Sequence, residues 1–410
     1  MKRLICYELK KIVMKKSTVA VFLVLFALNT AFVGISGSLG NTYVEGEFYE
    51  THVERNRINR ENGLTMSGRV IDDVLLTEML EAYQKVDRTT AAYKWTDVYK
   101  NEVRKYDDIE MRFKMWGLKS SILKEPVLEE FADTTAGERI YLARELAQQQ
   151  MYKDLFLTEQ EMAYWEEKDE AVETPFVYQY AAGYESLINM QGIYMICMLV
   201  SFFIAVTMVS VFAEEHVKKT DQLVLCTRFG RKKTYFAKLL AGSLVSFCVT
   251  LLFLLVAVVG KLYSYGWEGF GASLQVALVY WYPYELSVGE TCLILSALLL
   301  LASVLQAVFT MLLAELLRNS VGAMAVVVGL LLASRLVTFP TSLRVISQAW
   351  NYMPLNIVKV DEGFVDLRTV HLFGTHLTSW QFAPILYIVL LVILVVAGGR
   401  LYRSYQVSGR

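Results

Sequence analysis

Residues suited to nucleophilic, acid–base or metal chemistry are sparse in this chain of 410 residues. The histidines are His52, His216, His371 and His376. None forms an H-E-x-x-H pair, and the spacing of five between His371 and His376 does not put them on one helical face, so all four read as ordinary loop or interface residues. The cysteines are Cys6, Cys197, Cys226, Cys248 and Cys292. They lie in or beside apolar runs or basic segments, none falls between Gly37 and Glu185, and no C-x-x-C spacing exists, so neither a disulfide framework nor a zinc site is encoded. No G-x-x-x-x-G-K-[ST] occurs, so the chain cannot by itself cradle a nucleotide phosphate in a Walker loop. No catalytic, cofactor-binding or metal-ligating residue is therefore assigned, and any ATP chemistry belongs on another subunit.

Ionisable groups near apolar runs are the next suspects, because a charge in lipid is costly and tends to be functional. They are Arg335, close enough to the end of its run to snorkel, and Glu315 with Arg318. Among uncharged polar positions inside the runs, Ser201, Thr207, Ser303, Gln306 and Thr310 could line a pathway or join helices. Nothing resembles a proton relay. The densest polar cluster is the stretch FAEEHVKKTDQLVLCTRFGRKKTYFAKLLAG, Phe212 to Gly242, which separates two apolar runs.

The elements that must position these residues follow from composition. The chain is 55% hydrophobic and 20% charged, with a mean hydropathy of +0.36, which is too apolar for an ordinary soluble domain and points to a polytopic membrane protein. A formal net charge of −1 excludes a generally basic nucleic-acid binder. A helix crosses the hydrocarbon core with about 20 apolar residues, and six such runs are expected at 17–36, 187–213, 237–260, 289–314, 320–339 and 382–400. The expected fold is thus an all-α polytopic membrane protein of six transmembrane helices. Its Lys and Arg residues cluster before the first run, between the second and third, between the fourth and fifth, and after the sixth. By the positive-inside rule this predicts a multi-pass protein of the cell membrane with both termini cytoplasmic.

The remaining segments take their places around these spans. Residues 1–16 read as a basic amphipathic helix, with Leu4, Ile5, Leu9, Ile12 and Val13 at helical spacing, able to lie on the cytoplasmic membrane surface; the alternative is a solvated basic tail. Residues 214–236 form the main cytoplasmic loop, 315–319 a cytoplasmic turn and 401–410 a cytoplasmic tail. Segments 261–288 and 340–381 are aromatic extracellular connections, read as an interfacial belt, and the first has room for a short helical piece. Residues 37–186 are long enough for an extracellular domain. A helix is predicted in IDDVLLTEMLEAYQKV, where Ile71, Val74, Leu75, Met79, Ala82 and Val86 follow the three-four spacing, and helix starts at the capping boxes Thr135/Glu138 and Thr158/Glu161. The aromatic residues Tyr93, Trp95, Tyr99, Tyr106, Phe113, Trp116, Tyr164 and Trp165 are expected in this domain's core or at the membrane interface rather than in a ligand site.

The loop after Phe212 can form a helix–turn–helix, Gly230 supplying a backbone freedom other residues lack. Physics alone leaves two roles open, a topology anchor and a docking element. In layout, and in Glu215, Thr220, Leu223, Leu225, Arg228, Gly230, Arg231 and Lys238, the chain resembles the permease subunit of an ABC-2 type transporter. It is similar to Gram-positive members with a large extracellular insertion between the first two helices. Arg228 stands where many members have proline. The resemblance implies that the loop, Glu214 included, couples the chain to a separate ATP-binding subunit that carries ATP and magnesium. It further implies a second permease chain, identical or not, contact with membrane lipid, no nucleic-acid partner, and export of a lipophilic or peptide-like compound such as an antibiotic, lantibiotic or lipid. An alternative with the same layout is a non-transporting envelope sensor or assembly protein that recruits a cytoplasmic partner.

Overall fold

Leucine, valine and alanine fill the long apolar runs, and with no water to hydrogen-bond the backbone such runs satisfy their own amides only as helices. In the computed structural model, which describes residues 1–87, 89, 92–112, 136–217, 230–278, 282–372 and 374–404, the chain forms two units. The first comprises Met1–Val33, Asn189–Ala257 and Ile294–Arg410, the second Gly34–Ile188 and Val258–Leu293.

In chain order the helices and strands are α1 (Lys2–Val13), α2 (Lys16–Asn29), β1 (Asn41–Val44), β2 (Glu47–Thr51), α3 (His52–Met66) and α4 (Asp73–Gln84). There follow α5 (Ala136–Asp154), α6 (Glu159–Glu170), α7 (Ala182–Ile188), α8 (Ile193–Thr207), α9 (Ser210–Val217), α10 (Tyr235–Tyr265) and α11 (Leu274–Leu278). The last are α12 (Val288–Leu317), α13 (Ser320–Leu336), α14 (Arg344–Asn351), α15 (Pro354–Ile357), β3 (Val370–Leu372), β4 (Thr375–Leu377) and α16 (Ser379–Ser404). The protein is an all-α polytopic membrane protein, with two small hairpins among the described residues. Among the described residues five helical stretches are long and apolar enough to cross a membrane: Lys16–Gly34, Ile193–His216, Lys232–Tyr265, Val288–Leu317 and Ser379–Tyr402. The expected fifth run is a shorter apolar helix, α13, of 17 residues, at the lower limit of about 17–25 for a spanning helix. Its start is fixed by Asn319, whose side chain accepts from the amides of Val321 and Gly322.

Within the first unit, rings and small residues set the spacing of the bundle. Phe22 packs on Phe203 and Phe253 at 6.5 and 6.1 Å between centroids. Buried Asn29 donates its amide to the Phe253 carbonyl at 3.2 Å, joining α2 to α10. The expected apolar stripe of α1 is turned inward at Leu4, Ile5, Leu9 and Ile12, whereas Val13 is exposed.

The second unit has its own core, built on α4. Leu75 and Met79 are fully buried among Tyr99, Val103, Ile109 and Tyr178. Asp72 caps the helix by accepting from the Leu75 amide at 2.9 Å. Of the predicted stripe only Val74 departs: it is exposed, and Leu76 and Tyr83 take the buried arc beside it. The Thr158/Glu161 capping box forms as expected, Glu161 accepting from the Thr158 amide at 2.9 Å and Thr158 from the Glu161 amide at 3.3 Å; the Thr135 box lies outside the described residues. Tyr99, Tyr106 and Trp165 are buried in this unit, Tyr93 and Trp95 are half-buried, and Phe113 and Trp116 lie outside the described residues.

Ion pairs of the buried Arg104 and Arg112 brace the same unit. Arg104 spans both carboxylate oxygens of Glu50 at 3.0 and 2.8 Å. Arg112 is shared between Asp108 at 2.9 Å and Glu185 at 2.8 Å, with the Tyr178 hydroxyl donating to Asp108 at 2.6 Å. Burial pushes Glu185 up to about 7 against the pull of Arg112. Burial also works against ionised Asp108, but Arg112 and the Tyr178 hydroxyl outweigh it and hold that carboxyl below its ordinary value.

Candidate functional site

The polar stretch between the second and third spans starts on α9, and its first two acids are tied to the N-terminal helix. Lys11 reaches Glu215 at 3.2 Å, and Lys15 reaches Glu214 at 3.2 Å. Glu215 turns its other oxygen to Lys238 at 2.6 Å. Lys238 lies one turn inside α10 and is fully buried. Its ammonium also donates to the Val211 carbonyl at 3.2 Å and lies 4.9 Å from the Phe212 ring centroid. Three helices of the first unit, α1, α9 and α10, are therefore stapled at the two stems of the loop.

The Lys238 end of this staple is enclosed by rings. Phe212, Tyr235 and Tyr402 pack on one another with centroids 5.5 to 6.1 Å apart, and the Tyr235 hydroxyl donates to the Val395 carbonyl of α16 at 2.8 Å. Water kept away by these rings cannot screen the Glu215–Lys238 pair, so the attraction is stronger than for a surface pair. A fourth member is Glu8, buried on the inner face of α1, whose Oε2 has no hydrogen-bond partner among the described residues. Burial raises its pKa, with Lys238 and Lys11 pulling the other way. Beside the cluster, α9 is joined to α12 through His216 Nε2 and Glu315 at 2.8 Å.

The residues singled out in the sequence divide accordingly. Glu214, Glu215 and Lys238 converge on the staple. Gly230 opens a single wide helical turn, Gly230–Thr234, that contains Arg231 and leads into α10. Thr220, Leu223, Leu225 and Arg228 lie outside the described residues. Glu8 and Lys11 were missed, although an acid amid the apolar face formed by Leu4, Ile5, Leu9 and Ile12 is a readable sign of a buried charge awaiting a partner.

Of the intramembrane polar positions, Ser201 and Gln306 do link helices. The Ser201 hydroxyl donates to Gln306 Oε1 at 2.8 Å and the Gln306 amide returns to the Ser201 carbonyl at 3.3 Å, joining α8 to α12. Thr207 and Ser303 donate back to carbonyls of their own helices, and buried Thr310 has no partner for its hydroxyl among the described residues. Arg335 is exposed at the end of α13. His371 and His376, expected as ordinary loop or interface residues, face each other across the β3–β4 hairpin with ring centroids 5.1 Å apart, because strand pairing rather than helical spacing brings them together. Among the described residues no group of three or more His, Cys, Asp or Glu could hold a metal ion.

In a bundle of long apolar helices, the two stems of the loop 214–236 are thus tied together through buried Lys238. The chain belongs to the ABC-2 transporter family: the model of that family, described as ABC-2 family transporter protein, matches residues 71–359. No curated protein and no solved structure matches the chain. Membership makes it the transmembrane component of an ABC transporter system, whose ATP-binding component is a partner.

Proposed function

We propose that the chain is the permease subunit of an ABC exporter of a lipophilic or peptide-like compound, driven by a separate ATP-binding subunit that docks on the loop 214–236. In this reading ATP and magnesium stay on the partner, two permease chains form the pathway, both termini are cytoplasmic and the second unit faces outward from the cell membrane. The positive-inside distribution of Lys and Arg supports that orientation.

The observation that carries the proposal is the three-helix staple. A docked loop transmits force only if its stems cannot yield, and here one stem, Glu214 and Glu215 on α9, is fixed to α1 while the other, Lys238 on α10, closes on the same Glu215. Movement of a docked partner would then turn α1, α9 and α10 together. Glu215 and Lys238 act on this reading as positioning residues, and Arg231 at the loop's end as a contact residue. The test is co-purification of the chain with its ATPase from membranes, with ATPase activity as a second readout. Arg231→Ala is expected to lower both while leaving the chain's thermal stability unchanged. Undiminished co-purification and unchanged ATPase activity would overturn the docking assignment.

A further inference from the structure

The second unit contains a cavity of about 490 Å³, inside the range of about 300–1,000 Å³ typical of small-molecule sites. It lies among α3, β1, β2 and the segment 94–111, and Tyr180, Ala182 and Tyr265 complete its lining within the same unit. Its charges are of two kinds. Glu50 is spent on Arg104, and Asp108 on Arg112 and Tyr178. By contrast Arg55, Lys94 and Lys105, which also line the cavity, have no carboxylate within ion-pair distance among the described residues. Two further carboxylates line the cavity: Asp107 accepts from the Tyr99 hydroxyl and is pushed up by burial, and Glu110 accepts from the Tyr83 hydroxyl, so two carboxylates offset the three cations only in part. The open charge of the cavity is positive.

Three further features describe the body of what would fit. Asn59 and Asn62 stand one turn apart on α3, both lining the cavity, and neither amide has a hydrogen-bond partner among the described residues. An amide side chain offers a donor and an acceptor together, which suits another amide. Thr42 on β1 adds a buried hydroxyl, also without a partner among the described residues. Trp95 supplies a half-buried ring that is held in place by stacking on Tyr49 at 4.8 Å and by the Arg104 guanidinium 5.9 Å from its centroid. A larger cavity of the same unit, about 720 Å³, lacks this character, being lined by Glu173 and Glu285 with no cation.

We infer that the smaller cavity is a binding site for a short peptide with a free C-terminal carboxylate, the carboxylate held by Arg55, Lys94 and Lys105, the peptide groups by Asn59 and Asn62, and an apolar or aromatic side chain by Trp95. Anion and amide recognition in one cavity distinguish this ligand from a bare anion, which needs no asparagine pair, and from a neutral lipid, which needs no cations. The inference stands apart from the permease reading, since it concerns binding to the resting chain with no partner present.

The test is isothermal calorimetry on the full chain in lipid nanodiscs, with N-acetyl-dialanyl-phenylalanine as the free acid and as its C-terminal amide. The acid is expected to bind and the amide to bind about tenfold more weakly or worse, the loss of one charge-assisted contact. Arg55→Gln and the double variant Asn59→Ala/Asn62→Ala are each expected to weaken the acid by about tenfold, whereas Glu285→Gln, in the other cavity, leaves it unchanged. These positions are partly exposed or solvent-facing, and unaltered thermal unfolding checks that the variants fold. Equal binding of acid and amide would overturn the proposal, as would affinity indifferent to Arg55 and the asparagines. Full displacement of the peptide by inorganic phosphate at equal concentration would also overturn it, leaving a simple anion seat.

Discussion

Lys238 and Glu215 make the most discriminating perturbation in the molecule, because the two partners are unequally backed. Lys238 is fully buried, and among the described residues its one direct carboxylate is Glu215 at 2.6 Å, beside a carbonyl and a ring face. Glu215 retains a second cation, Lys11, at 3.2 Å. Glu215→Gln therefore strands a buried ammonium, and breaking a buried pair from one side costs about 3–5 kcal/mol. The lower end, about 3 kcal/mol, applies because the Glu8 carboxyl is close enough to act on Lys238. Lys238→Met leaves Glu215 paired with Lys11 and fills the same volume with an apolar chain, so its cost is about 1 kcal/mol. The double variant removes the stranded charge and is expected near the Lys238→Met value, a coupling of about 2–3 kcal/mol. Thermal unfolding of the purified full chain in nanodiscs reads this out, at about 2 °C per kcal/mol for a chain of this size. The expected order is Glu215→Gln lowest, by about 6 °C, with the other two close together. Equal losses from the two single variants, summing in the double, would refute the reasoning, since independent residues add.

Two further outcomes follow from the structure. Glu185 has a folded pKa raised to about 7 by burial, so between its unfolded value and neutrality the folded state holds the extra proton. Its contribution is fully present below the unfolded pKa and is lost as pH rises through about 7; the depressed pKa of Asp108 acts only at lower pH. Unfolding followed from pH 5 to 8 is expected to show a loss of about 2–3 kcal/mol in the native chain that Glu185→Gln abolishes, and an identical slope in both proteins would show that Glu185 does not titrate there. Glycines give the second contrast: a Cβ at Gly260 would sit 2.4 Å from the Gly34 carbonyl oxygen, a backbone atom, whereas at Gly242 it would meet the flexible end of Met311. Gly260→Ala is expected to cost about 2–3 kcal/mol and Gly242→Ala about 1 kcal/mol or less, and the reverse order in a thermal-shift assay would contradict this packing.

How much of this was legible in the sequence depended on the range of the interaction concerned. Hydrophobic runs and caps are local, so the long apolar helices, the start of α4 at Asp72 and the Thr158/Glu161 box could be read directly. Boundaries were less legible because short breaks carry weak signals: α8 begins at Ile193, after a separate α7, although the apolar run starts earlier. The two hairpins escaped notice because their strands are only three to five residues long, too short for alternation to stand out. The site was half legible. Glu214, Glu215 and Lys238 stood out as charges flanking lipid, but that Lys11 and Glu8 meet them rests on contacts across some 200 residues of chain that no periodicity encodes.

That long-range closure changes what the N-terminal helix is for. A positive-inside anchor needs only that its lysines lie near phospholipid, and any of them would serve equally. Here α1 turns Leu4, Ile5, Glu8, Leu9 and Ile12 toward the protein, commits Lys11 to Glu215 and, just beyond its end, Lys15 to Glu214, while Lys2, Arg3 and Lys10 stay exposed beside Tyr7, Val13 and Met14. The exposed group is what a membrane surface would engage, and salt screens such contacts within about 10 Å at 0.1 M. The committed group is half-buried and resists that screening. One helix thus carries two sets of cations with separate duties, and the set fixed to Glu214 and Glu215 is what joins the start of the chain to the stem of the loop.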